Sequence, residues 1–109
     1  MKLIIIFLNK IEYLDDILST FLEMGIPGAT VVDTVGMGHI VSQNIPVFAG
    51  LRDFFPGSSP TNKTILVVAK KEMISKIDQA LKEVTGYDTT TGIAKMVSMP
   101  VEELYGFEE

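Results

Sequence analysis

Residues Leu3-Ile4-Ile5-Ile6-Phe7-Leu8 are apolar without interruption. A strand with one wet face would alternate apolar and polar residues, and this one does not. The run is too short for a helix, for a membrane span or for the apolar centre of a signal peptide. Asn9-Lys10, followed by Glu12, Asp15 and Asp16, ends it. It therefore reads as a strand buried on both faces. A second run of the same character, Lys63 to Ala69 (KTILVVA), lies about sixty residues on.

The remaining elements follow outward from these two. Asn9 with Glu12 three residues later forms a capping-box pattern. Ile11, Leu14, Ile17, Leu18, Phe21 and Leu22 then recur at helical spacing until Gly25. Pro27-Gly28 turns the chain into Ala29 to Val35 (ATVVDTV), a β-branched strand. After Lys63–Ala69, Met73, Ile74, Ile77, Ala80, Leu81 and Val84 mark a second amphipathic helix, ended by Gly86. Ile93 to Met99 (IAKMVSM) is a fourth strand, stopped by Pro100, and Val101 to Glu109 form a tail.

The order is β-α-β-β-α-β, which predicts an α+β, ferredoxin-like sandwich over residues 1–109 as a single domain. Its four-stranded antiparallel sheet carries both helices on one face. The first and third strands are central in that topology, and they are the two without polar alternation. Half of their side chains must then point away from the helices. Exposing each Ile, Leu or Val forfeits about 1.5–3 kcal/mol and creates a large apolar patch. A closed ring of identical subunits is the simplest cover.

Composition narrows the function classes. Of 109 residues, 47% are hydrophobic and 21% charged, which suits a globular domain and not a disordered chain. The net charge is −5 and the longest basic run is Lys70-Lys71, so a phosphate-backbone footprint is missing and nucleic acid is not an expected partner. There is no cysteine, which excludes disulfides, thiolate metal sites and cysteine nucleophiles and fits a reducing cytoplasm. Neither a G-x-S-x-G elbow nor a Walker P-loop occurs, and the paired acids Asp15-Asp16 and Glu102-Glu103 read as solvated surface. No enzyme activity is expected.

Gly36 to Asn62 separates the second and third strands without a sustained helical or strand period. A connection of that length inside a small domain is usually functional or disordered. Within it Phe48, Leu51, Phe54 and Phe55, with Arg52 among them, space as one side of a short helical turn. They read either as a docking surface for a partner, with aromatic anchors, or as a segment packed back on its own assembly.

Read in full, Gly25-Ile26-Pro27-Gly28-Ala29-Thr30-Val31-Val32-Asp33-Thr34-Val35-Gly36-Met37-Gly38 resembles the G-I-x-G-x-T-V-x-x-x-x-G-x-G segment of the nitrogen-regulatory PII family. There the second strand runs into a long ligand-responsive T-loop, which residues 36–62 match in place and length. Phe48-Ala49-Gly50 is similar to that loop's Y-R-G, and Thr85-Gly86 to the start of the family's B-loop. The resemblance implies a cytoplasmic homotrimer whose clefts bind adenine nucleotides between subunits. It also implies signal transduction through the T-loop to a target such as a membrane transporter, which would bring the protein to the membrane. Carried over residue by residue, the ligand site comprises Thr30, Gly36, Met37, Gly38 and His39 of one subunit, faced by Thr85, Gly86, Gly92 and Lys95. Phe48, Leu51, Arg52, Phe54 and Phe55 would meet the target.

The chain departs from the family at several of these places. Its B-loop equivalent, Thr85-Gly86-Tyr87-Asp88-Thr89-Thr90-Thr91-Gly92-Ile93, is longer and lacks the lysine. Ser98-Met99-Pro100-Val101-Glu102-Glu103 replace the phosphate-gripping arginines, and His39 stands where the family has an arginine. A polyphosphate needs concentrated positive charge or many aimed N–H groups. The effector is therefore expected to be an adenine nucleotide (ATP, ADP or, with fewer phosphates, AMP) or a cyclic dinucleotide. The alternative is an unrecognised anion or small metabolite. Phe48 and Asp53 hold the T-loop positions that match the family's modified tyrosine, so uridylylation is excluded. His39, the single histidine, supplies one ligand at most. No metal site is assigned, although a divalent-metal-binding trimer of the ion-tolerance type shares the fold. So does a small hydrolase of the acylphosphatase kind, whose arginine here would be Arg52.

Overall fold

In the computed structural model, residues 1–26, 28–38, 40, 62–86 and 92–107 are described. Among these residues, strands β1 (Lys2–Leu8), β2 (Thr30–Thr34), β3 (Asn62–Ala69) and β4 (Ala94–Pro100) and helices α1 (Leu14–Glu23) and α2 (Ile74–Thr85) follow in the predicted order, and Met37, Gly38 and Ile40 lie in a helical turn after β2. Each helix is entered through one 3₁₀ turn, Ile11–Tyr13 and Lys71–Met73. All strand pairs are antiparallel, and the sheet order is β2-β3-β1-β4. The architecture is α+β and compatible with a ferredoxin-like fold, with the two unalternating strands at the centre.

Strand ends explain the small boundary differences. Asn62 opens β3 because it pairs with Thr34 on β2. Pro100 closes β4 as its last residue instead of stopping it one residue earlier. β4 is an edge strand, where a missing N–H breaks no ladder.

Ile4, Ile6 and Leu8 of β1 and Ile65 and Val67 of β3 are fully or almost fully buried. They form one core with Ile17 and Phe21 of α1 and Ile77 and Leu81 of α2, so both helices cover the same face. α1 ends in a Schellman motif: Gly25 has φ +87°, its N–H donates to Leu22 O, and the Ile26 N–H donates to Phe21 O at 2.9 Å. Ile26 is buried in the core beyond it. Gly86 ends α2 in the left-handed region and donates to Lys82 O.

Two sequence expectations are corrected. Asn9 does not cap the first helix, since the residue before the 3₁₀ turn is Lys10 and no side-chain cap is made. Leu22 is 66% exposed and not part of the core. It lies about 100° round the helix from Phe21, beyond the stripe that the sheet covers.

The other face of the sheet is set by the register. Leu3, Ile5 and Phe7 align with Val68, Leu66 and Thr64 on β3 and with Met99, Val97 and Lys95 on β4. Side chains on neighbouring strands at paired positions share a face, and neither α1 nor α2 lies over this one. Phe7 is 42%, Val97 45% and Met99 42% exposed, while Leu3, Ile5, Leu66 and Val68 are half-buried. The apolar face expected from LIIIFL and TILVVA is present, without cover from α1 or α2.

Candidate functional site

One end of that open face is polar. The carboxyl ends of β1 and β2 and the amino ends of β3 and β4 meet there around a hollow of about 520 Å³. That falls within the range of small-molecule pockets, roughly 300–1,000 Å³. Phe7 and Val35 give it apolar walls, and Asn9, Thr34, Asn62 and Thr64 give it neutral polar groups. Gly36 lies on its rim, where an added Cβ would stand 3.6 Å from Asn62 Nδ2.

Antiparallel pairing explains why these residues gather. Thr34 is opposite Asn62, and Thr64 is its diagonal neighbour two residues along β3. Asn9 follows β1 directly, and its backbone N–H donates to Ile93 O at 2.8 Å. Its side chain is thereby brought against the start of β4, where Nδ2 donates to Gly92 O. Asn62 Nδ2 donates to Asn9 Oδ1 at 3.2 Å, Thr34 Oγ1 donates to Asn62 Oδ1 at 3.2 Å, and the Thr34 and Thr64 hydroxyl oxygens are 2.9 Å apart.

Among the described residues, two lysines line the hollow and no carboxylate does. Lys63 forms an ion pair with Asp33 across β2 and β3. Lys95 has no such partner among the described residues. Among the described residues, the site therefore offers one uncommitted cation, a short row of hydroxyl and amide groups, and an aromatic edge. A group of three or more His, Asp or Glu residues able to hold a metal ion does not occur among the described residues.

Of the residues expected at a ligand site, Gly36 and Lys95 line the hollow. Gly92 is tied to it through the bond from Asn9. Met37 and Gly38 continue directly from Gly36 in a helical turn in which the Ile40 N–H donates to Gly36 O. Thr30 is exposed at the far end of β2, opposite Leu66. Thr85 is buried and its hydroxyl donates to Leu81 O at 2.6 Å, while Gly86 is the α2 cap. Neither Thr85 nor Gly86 lines the hollow. His39, Phe48, Leu51, Arg52, Phe54 and Phe55 lie outside the described residues.

Sequence reasoning missed Asn9, Thr34, Asn62 and Thr64. Their sequence signal is that polar residues stand at the ends of three strands, and nothing local says those ends meet. Among the described residues, no helix is long and apolar enough to cross a membrane. No protein-family model matches the chain, and no curated protein matches it.

Proposed function

We propose that this chain is a PII-like signal transduction protein, not an enzyme. It assembles as a homotrimer, binds an adenine-nucleotide-type effector at clefts between subunits, and regulates a target, such as a membrane transporter, through residues 36–62. The observation that carries the reading is the open sheet face. An apolar surface across the central strands ends in a polar hollow that holds Gly36 and Lys95. Burying such a face between copies recovers about 25 cal/mol for each Å² of apolar surface removed from water. A closed ring covers it in every copy.

The resemblance supports the same reading from another direction. The Gly25–Gly38 segment runs from the Schellman glycine of α1 through β2 to the rim of the hollow. An effector bound there would touch the root of residues 36–62 and act by its different affinities for two states of that connection. With one uncommitted lysine among the described residues of the hollow, AMP or a cyclic dinucleotide is favoured over ATP. Nitrogen metabolism and the cytoplasm are the setting that the resemblance implies.

Titration calorimetry of the purified chain with ATP, ADP, AMP and cyclic dinucleotides tests the proposal. Binding of at least one, at a stoichiometry of one per subunit, is expected. No heat from any of them, at concentrations up to millimolar, would remove the effector from the reading.

A further inference from the structure

The hydrogen bonds at the hollow have a fixed direction, and it follows from one backbone group. The Gly92 carbonyl can only accept, so the Asn9 atom against it is the amide nitrogen. Asn9 Oδ1 then faces Asn62, and the Asn62 atom 3.2 Å away must be Nδ2. That turns Asn62 Oδ1 toward Thr34, where it takes the single proton of the hydroxyl. Thr34 and Thr64 stand 2.9 Å apart, oxygen to oxygen. Thr34 has no proton left to give, so Thr64 donates. Every member of the row hands a proton to the next, from Thr64 to Gly92.

The row leaves its first member in one state. Thr64 is only 8% exposed and lines the hollow, and its sole proton is committed to Thr34. Toward the hollow its oxygen offers lone pairs alone. We propose that Thr64 is the specificity-determining residue of this site: it accepts a hydrogen bond from an N–H or O–H group of the ligand and rejects a carbonyl in the same place. Asn9 and Asn62 act through it, as positioning residues that hold the row in its direction. Lys95 supplies charge for an anionic group at the other side. This inference rests on the reading of the hollow as a nucleotide site and adds which edge of the base it selects.

AMP and IMP separate the two ideas, because they match in size and charge and differ in an amino against an oxo group on the purine. With the full chain, calorimetry is expected to show AMP binding about tenfold or more tighter than IMP, as for a buried acceptor facing a donor in one case and a carbonyl in the other. Thr64→Val keeps the shape of the residue and is expected to bring the two affinities within about threefold. Thr64→Ser restores the hydroxyl and is expected to restore the preference. Nuclear magnetic resonance of the free protein supplies a ligand-independent readout, in which the side-chain amide protons of Asn9 and Asn62 should exchange slowly with solvent. Equal affinity for AMP and IMP, or a preference that survives in Thr64→Val, overturns the inference and leaves the nucleotide site standing. Binding of neither nucleotide by the folded protein overturns both. Rapid exchange of both side-chain amides would refute the fixed row itself.

Discussion

Asn62 joins parts of the chain that are distant in sequence. It opens β3, pairs with Thr34 at the end of β2, and donates to Asn9 beyond β1. Asn62→Ala would leave Asn9 Oδ1 without a donor and Thr34 without an acceptor in a part-buried site. A loss of about 1–3 kcal/mol is expected for such a group, read as a lower midpoint in urea with unchanged slope. Tyr105 gives a second residue-scale test. Its hydroxyl donates to Glu103, and this bond, with a smaller contribution from desolvation, holds the phenol above its ordinary pKa. In Glu103→Ala the Tyr105 ring resonances should titrate at lower pH than in the wild type. Asn9 shows what local spacing cannot tell. A short polar side chain before a helix suits a cap, yet it reaches Gly92, 83 residues away. The sequence holds the donor but not the address.

At the scale of elements, punctuation by glycine was legible because it depends on few neighbours. Gly25 and Gly86 end their helices where the apolar spacing stops, each at positive φ. Gly25→Ala forces a side chain into the left-handed region and should cost about 1–2 kcal/mol. Gly28→Ala, at a glycine without positive φ and with nothing within 4 Å of an added Cβ, should leave the denaturation midpoint nearly unchanged. Helical spacing placed Ile17, Phe21, Ile77 and Leu81 correctly in the core but included Leu22. Periodicity gives the direction of an apolar stripe and not its width. The width is set by how much of the helix the sheet can reach, and that is a tertiary quantity.

The whole molecule carries the strongest inference drawn from sequence, and it depended on an absence of pattern. Strands that lack alternation need cover on two sides, and two helices supply one. The register confirms which residues remain, with Ile5, Leu66 and Val97 in one row across the middle of the open face. Ile5→Lys places a charge in that row, where a subunit contact would have to desolvate it. Sedimentation is expected to show the wild type as an assembly and this variant as a single folded subunit at micromolar concentration. A wild type that is itself a stable single subunit would end the shared-cleft reading. The hollow was less legible than the sheet, since its polar and apolar walls come from four strand ends that only the finished pairing brings together.

The sheet order also bears on biosynthesis. β1 hydrogen-bonds only to β3 and β4, with Lys2 opposite Ala69 and Pro100. On the ribosome, at roughly 5–20 residues per second, this strand emerges seconds before either neighbour has been made. During that interval LIIIFL has the composition of an aggregation-prone segment. Nascent chains in crowded polysomes are therefore most exposed to one another through a strand that has a neighbour on either side once folding is complete.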